Sequence, residues 1–150
     1  MKKLIKIHSP QAMIEFGEAL GRRLPANSII ALEGDLGVGK TTLTKGIGLG
    51  LGVQSIINSP TFTIMKIHEG RMKLYHLDVY RLDQVKDDFE LEEYFEEGGV
   101  CVVEWASRIK SLLPSDTLWI TLSDDGDQER TLTIETTSNL YKNMMKELLS

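Results

Sequence analysis

An α/β fold with a mixed, mainly parallel central sheet and helices on both faces is what this sequence predicts, on three observations. The apolar run Ser28–Glu33 leads straight into Gly34-Asp35-Leu36-Gly37-Val38-Gly39-Lys40-Thr41-Thr42, which carries the spacing G-x-x-x-x-G-K-[ST] in full. A helical pattern from about Gly39 to Leu51 follows, so the glycines lie between a strand and a helix. Apolar runs of strand length then alternate with helical spacings along the chain, the pattern of a layered α/β architecture. Glycines in such a turn let successive backbone N–H groups curl around phosphates, a lysine reaches the β/γ oxygens, and a hydroxyl meets Mg²⁺. The helix that follows presents its N-terminus to an anion. A chance match in a chain of this length is on the order of half a per cent. The expected fold is a single P-loop NTPase domain over residues 1–150.

Each element has a local reason. Lys3 to His8 alternates as a strand does, and Ser9-Pro10 supplies an N-cap with proline at the first helical position. Met13, Phe16, Ala19, Leu20 and Leu24 recur at helical spacing, and Pro25 stops that helix. Glycines 46, 48, 50 and 52 sit in or after the next helix, where each interior one costs about 1 kcal/mol relative to Ala. Gly52 reads as the helix end, and the others are compatible with close packing. Thr61–His68 and Lys73–Tyr80 read as a hairpin around Glu69-Gly70-Arg71-Met72. The acidic segment 83–97 has a helical spacing, and Val100–Glu104 is a buried strand. Ala106 to Leu113 reads as helix, Leu118–Leu122 and Thr131–Thr136 as strands, and Asn139–Leu149 as a last helix.

Composition narrows the function. The chain is 41% hydrophobic with no apolar run near the ~20 residues of a membrane helix, so a soluble, cytoplasmic protein with no membrane association is expected. The single Cys101 lies in an apolar run and reads as inert core. Net charge is −5, but Asp83, Asp87, Asp88, Glu90, Glu92, Glu93, Glu96 and Glu97 concentrate the negative charge, leaving the rest weakly basic. No basic stripe is present, which argues against DNA and against direct RNA binding by this chain alone. The histidines at 8, 68 and 76 lack metal-ligand spacing.

Two strands besides the one feeding the glycine loop end in a carboxylate, at Asp78 and Glu104. If Thr61–His68 runs antiparallel, Lys73–Tyr80 returns parallel and delivers Asp78 to the phosphate edge, where ligands of open α/β sheets bind. Both acids fit the position of a Mg²⁺-associated carboxylate, and spacing leaves open which one meets the metal. Ser59 and Thr61 flank Pro60, as a turn or a phosphate-sensing loop would have them. Trp105 reads as packing. Arg81, Arg108 and Arg130 are candidates for charge stabilisation, although a surface arginine is the commoner outcome. The guanine-reading Asn-Lys-x-Asp is absent, which favours adenine, and an arginine-rich kinase lid is absent too.

Gly34–Thr42, Ser59-Pro60-Thr61-Phe62, His76-Leu77-Asp78-Val79-Tyr80-Arg81 and Val103-Glu104-Trp105 together resemble the bacterial TsaE family in order and spacing. The resemblance runs from near the start of the chain to its C-terminal strands and is looser in the last third. It implies a small ATPase required for making threonylcarbamoyl-adenosine beside the anticodon of tRNA. Such an ATPase acts through the TsaB–TsaD pair and meets tRNA only through that complex. It further implies that the segment near Ser9 borders the adenine. The expected cofactors are ATP and Mg²⁺. Asp35, Leu36, Gly37, Val38, Gly39, Lys40, Thr41 and Thr42 are expected to hold the nucleotide, with Ser59 or Thr61 sensing the terminal phosphate. Thr41 and Glu104 are expected at the metal, directly or through water. Lys40, Asp78 and Glu104 are the expected catalytic residues, with Asp78 orienting or deprotonating water. Slow turnover alone and faster turnover with partners are expected. The rivals are a P-loop kinase of a small metabolite and a nucleotide-gated binding module without turnover.

Overall fold

Alternating stretches of period-2 and period-3.6 apolar spacing account for the element order in the computed structural model, which describes residues 1–60, 64–80 and 91–150. The elements are β1 (Lys2–Ile7), α1 (Pro10–Arg23), β2 (Ser28–Glu33), α2 (Lys40–Gly50), β3 (Met65–His68), β4 (Leu74–Asp78), β5 (Val100–Glu104), β6 (Leu118–Gly126), β7 (Glu129–Glu135) and α3 (Asn139–Leu149). Two 3₁₀ segments, Leu91–Glu96 and Ala106–Leu112, complete the described residues. The second stands where an ordinary helix is expected. Trp105 enters it at φ 63° and Ile109 departs to φ −124°, so a continuous i→i−4 ladder cannot form. Of the acidic stretch 83–97, residues 83–90 lie outside the described residues, as do Thr61 and Arg81.

Among the described residues one seven-stranded sheet runs in the order β1-β7-β6-β2-β5-β4-β3. Strands β6, β2, β5 and β4 are parallel neighbours. β7 and β3 run against them, and β1 at its edge again points with the central four. The expected hairpin is β3–β4, with Met65 opposite Leu77 and His68 opposite Leu74. β4 therefore returns parallel to β5 and sets Asp78 opposite Glu104.

The central strands are apolar throughout because both faces are covered. Ile30, Leu32, Val100 and Val102 face a core built with Met13, Leu20, Leu43, Ile47, Met144 and Met145 of the three α-helices. Ile29, Ala31, Cys101 and Val103 face a second core with Leu91, Phe95, Ala106 and Ile109 of the 3₁₀ segments. Helical cover thus lies on both faces, α-helical on one and 3₁₀ on the other.

Helices α1 and α2 approach closely. A Cβ on Gly46 would lie 2.3 Å from the Ile14 carbonyl oxygen, and one on Gly21 would lie 2.3 Å from that of Ile47. Gly17 and Gly50 are as confined, against Leu43 O at 2.6 Å and Glu18 O at 2.3 Å. The interior glycines of α2 are therefore packing residues. Gly52 ends the helix at φ +80°, with its N–H donating to Leu49 O at 3.0 Å and the Val53 N–H to Gly48 O at 2.9 Å. These two bonds form a Schellman cap. Ser9 caps α1 by accepting from the Ala12 N–H at 3.0 Å.

Candidate functional site

β2 delivers the chain to the C-terminal edge of the sheet at Glu33, and the next residues cannot continue as strand. Gly34, Gly37 and Gly39 adopt φ of 147°, 79° and 121°, a region that L side chains avoid. The loop closes with the Val38 N–H on Asp35 O at 3.2 Å, and α2 starts with the Leu43 N–H on Gly39 O at 2.9 Å. Gly39 stands at the N-cap and makes no side-chain cap, so the first N–H groups of α2 are left for an external acceptor.

Leu36, Gly37, Gly39, Lys40, Thr41 and Thr42 line a cleft of about 190 Å³, closed from the sheet edge by Ser59, Asp78, Glu104 and Trp105. Its floor is a set of polar contacts. Thr41 Oγ1 donates to the Glu104 carboxylate at 3.3 and 3.2 Å. Glu104 Oε2 also accepts from His76 Nε2 at 2.5 Å, and both of those side chains are buried. Asp78 accepts from the Tyr80 N–H at 3.0 Å through one oxygen and from Ser59 Oγ at 3.4 Å through the other. Thr61 lies outside the described residues.

Lys40 is folded inward. Its Nζ donates to the carbonyls of Gly34 at 2.5 Å and Asp35 at 3.0 Å and lies 4.0 Å from the centre of a Trp105 ring. Burial lowers the Lys40 pKa from its usual value, against the opposing pull of Glu104, Glu33, Asp78 and Asp35. A cation so placed has exchanged water for weak carbonyl acceptors and an aromatic face. Arriving phosphate oxygens would be better partners. The Trp105 backbone is left-handed at φ 63°. The ring also stacks at a tilt on Tyr80, 4.8 Å between centroids.

A second cleft of about 130 Å³ adjoins the first and shares Gly37, Gly39 and Thr42 with it. Ser9, Pro10 and Met13 form one wall, and Val38, Gln128 and Arg130 another. Arg130 Nε donates to Val38 O at 2.9 Å, and its Nη1 donates to Asp124 Oδ1 and Glu129 O, both at 2.9 Å. Arg130 thereby ties the glycine loop to β7. A larger groove of about 610 Å³ lies around Lys2, Lys110 and Trp119 and contains none of the motif residues. Convergent donors and charges, rather than volume, single out the smaller pair.

Among the described residues no group of three or more His, Cys, Asp or Glu side chains is placed to hold a metal. The Thr41 hydroxyl and the Glu104 carboxylate are hard oxygen donors. This set suits Mg²⁺, which dehydrates reluctantly and takes one or two protein ligands beside phosphates and water. The residues brought together are Leu36, Gly37, Gly39, Lys40, Thr41, Thr42, Ser59, Asp78 and Glu104 around the first cleft, with Ser9 and Val38 at the second, while Asp35 lines neither and meets the site through its carbonyl, which accepts from Lys40. His76 and Gln128 join them with no role assigned from sequence, as do Trp105, read there as packing, and Arg130, named there only as a candidate for charge stabilisation. No described helix is long and apolar enough to cross a membrane.

Residues 7–132 match the sequence model of the family described as "Threonylcarbamoyl adenosine biosynthesis protein TsaE". The chain is similar to the "tRNA threonylcarbamoyladenosine biosynthesis protein TsaE" of Bacillus subtilis (strain 168), 49% identical over 121 residues, covering 80% of this chain and 77% of that protein. The protein of the same name from Treponema pallidum (strain Nichols) is 43% identical over 128 residues, 84% of this chain and 95% of that one. Among solved structures, "Crystal structure of Bacillus subtilus YdiB" superposes with a TM-score of 0.87 at 37% identity, covering 99% of this chain and 94% of that chain. With the family model matched over most of its length, the chain belongs to the TsaE family, whose role is in tRNA threonylcarbamoyladenosine biosynthesis.

Proposed function

We propose that this chain is a single P-loop NTPase domain that binds and hydrolyses ATP with Mg²⁺, in the cytoplasm, and acts through TsaB and TsaD in that biosynthesis. The observation that carries the reading is the meeting of Thr41, Glu104, Lys40 and Asp78 at one cleft, supplied by α2 and by the parallel strands β5 and β4.

Backbone N–H groups from Leu36 to Thr41 cradle the α/β-phosphates, and Lys40 leaves the Gly34 and Asp35 carbonyls to neutralise the β/γ pair. Thr41 and Glu104 would hold Mg²⁺, directly or through water. When bound, the ion would supply charge neutralisation to the phosphate oxygens. Asp78, one strand from Glu104, orients the attacking water or takes its proton, with Ser59 fixing one carboxylate oxygen. Thr61 or Ser59 senses the terminal phosphate. Ser9 and its cleft receive the adenine side of the nucleotide. Phosphoryl transfer of this kind is mostly positioning and electrostatics, so a complex that completes the charge set should accelerate it. tRNA is met only through that complex.

The test is a reconstituted mixture with TsaB, TsaD, tRNA and the supply of threonylcarbamoyl groups, reading both ATP hydrolysis and tRNA modification. Lys40→Ala and Asp78→Ala should each abolish hydrolysis and modification. Unchanged modification with Lys40→Ala overturns the mechanism. Labelled phosphate on a small acceptor, rather than as inorganic phosphate, would show a kinase instead. Turnover of the isolated chain should fall below the ~1–100 s⁻¹ of kinases.

A further inference from the structure

We propose that His76 is a positioning residue for the metal site: it holds the Glu104 carboxylate in the one orientation that presents it to Thr41 and the cation. The inference rests on the reading of Glu104 as a Mg²⁺ ligand and extends it to a residue behind the cleft.

His76 lies in the middle of β4, on the face it shares with Leu74 and Asp78, where it is fully buried. An aliphatic side chain would suit that position better, as Leu74 does beside it in the core. Nε2 lies 2.5 Å from Glu104 Oε2. An ionised carboxylate only accepts, so this nitrogen carries the proton and donates. Nδ1 has no partner among the described residues. His68 leaves its Nε2 without a partner among the described residues in the same way, so what sets His76 apart is the buried carboxylate its other nitrogen meets.

Glu104 is 3% exposed and has few ways to be held. Thr41 Oγ1 is 3.3 and 3.2 Å from its two oxygens, a loose and nearly symmetric contact that does not choose between them. The bond from His76 does choose: it occupies Oε2 and leaves Oε1 for the cleft. Ligating carboxylates are commonly fixed by such outer hydrogen bonds, whose loss costs 10–100-fold in metal affinity or activity. Asp78 follows two residues later on the same strand face, so β4 places the acid that handles water and the anchor of the acid that handles the metal.

The test compares binding of a non-hydrolysable ATP analogue by calorimetry in Mg²⁺ and in EDTA, with the full chain. The quantity read is the factor by which Mg²⁺ strengthens binding. His76→Phe keeps the ring shape without a donor and should reduce that factor by about 10–100-fold, with the affinity in EDTA within about twofold of the parent. His76→Gln can place an amide N–H near the Nε2 position and should recover most of the factor. His76→Asn is too short to reach Glu104 and should not, which keeps the comparison alive if the Phe variant folds poorly. Glu104→Gln separates the two ideas. If it leaves the Mg²⁺ factor unchanged, Glu104 is no ligand and the underlying reading fails. If it lowers the factor but His76→Phe and His76→Asn do not, the positioning role alone is overturned. Equal loss of EDTA affinity in the Phe, Asn and Gln variants also overturns it, because that marks a packing lesion.

Discussion

Gly46→Ala should destabilise the fold although alanine is the better helix former. A Cβ at Gly46 meets the Ile14 carbonyl oxygen at 2.3 Å and Gly17 Cα at 2.9 Å, whereas ordinary contact begins at 3.4 Å. Both obstacles are backbone of α1, so the helix must retreat by about 1 Å, which forfeits dispersion along the whole seam. Overpacking of this kind costs about 1–3 kcal/mol. The propensity gain of about 1 kcal/mol opposes it, and Gly48→Ala measures that gain in the same helix. There the new Cβ meets the Ile57 Cδ1 atom at 2.2 Å, the far end of a side chain that can turn away. Subtracting one variant from the other removes propensity and leaves the seam. At about 2–4 °C per kcal/mol for a chain of this size, Gly46→Ala should melt roughly 2–12 °C below Gly48→Ala. Gly17→Ala combined with Gly46→Ala should cost less than the two single changes together, because one retreat accommodates both. Thermal melts and urea titrations with unchanged slope are the assay. Equal melting of the two single variants, or Gly46→Ala melting higher, refutes the argument. Retreat of α1 also moves Ser9 and Met13 away from Gly37 and Thr42, so nucleotide affinity should fall in Gly46→Ala.

Other outcomes follow from single contacts. Arg130→Ala removes the bond to Val38 O and should weaken nucleotide binding about tenfold, the ~1.4 kcal/mol of a charge-assisted hydrogen bond; calorimetry showing no change would separate Arg130 from the loop. His68 is buried with Nδ1 2.8 Å from Ser55 Oγ, and burial, with smaller effects of His76 and Lys66, lowers its pKa below 6.5. The unfolded chain then binds this proton more readily, so stability is full above about pH 6.5 and declines as pH falls toward the lowered native value. His68→Gln should flatten that decline in denaturant midpoints measured from pH 7 to 5, and parallel curves would refute it. Burial pushes the Cys101 thiol up to about 12, which leaves about one thiolate in ten thousand at pH 8. A thiol reagent should therefore label Cys101 only in denaturant, and rapid labelling of the folded chain would contradict its place in the core.

Local chemistry was legible where one stretch of sequence settles it. Ser28–Glu33 and Asn139–Leu149 form as their spacing predicts, because each is a short segment with its own cap or apolar run. The hairpin turn at Glu69–Met72 carried more weight than its size suggests. By making β3 antiparallel it forced β4 to run parallel to β5, and that brought Asp78 beside Glu104. The 3₁₀ character of Ala106–Leu112 was less legible. Its apolar residues keep helical spacing, but the left-handed entry at Trp105 and the break at Ile109 are dictated by how the segment must lie on the sheet.

What sequence could not assign are the residues whose role depends on a distant partner. Arg130 touches the glycine loop across 92 positions of chain, and no spacing near it distinguishes it from a surface arginine. Trp105 reads as packing because tryptophan usually is; its left-handed backbone and its ring beside Lys40 emerge only in the fold. His76 lacks metal-ligand spacing, and its partner across the sheet is the Glu104 carboxylate. A signal was nevertheless present: a histidine within the apolar strand Leu74–Asp78, two residues before an acid, is polar where the core asks for an aliphatic side chain. A buried polar residue must be matched by something, and the available acid on the neighbouring strand was Glu104. The same logic applied to His68 leads to Ser55, a hydroxyl beyond α2. Two histidines alike in sequence context thus differ by what the adjacent element offers, and that difference separates a positioning residue from one whose protonation only weakens the fold.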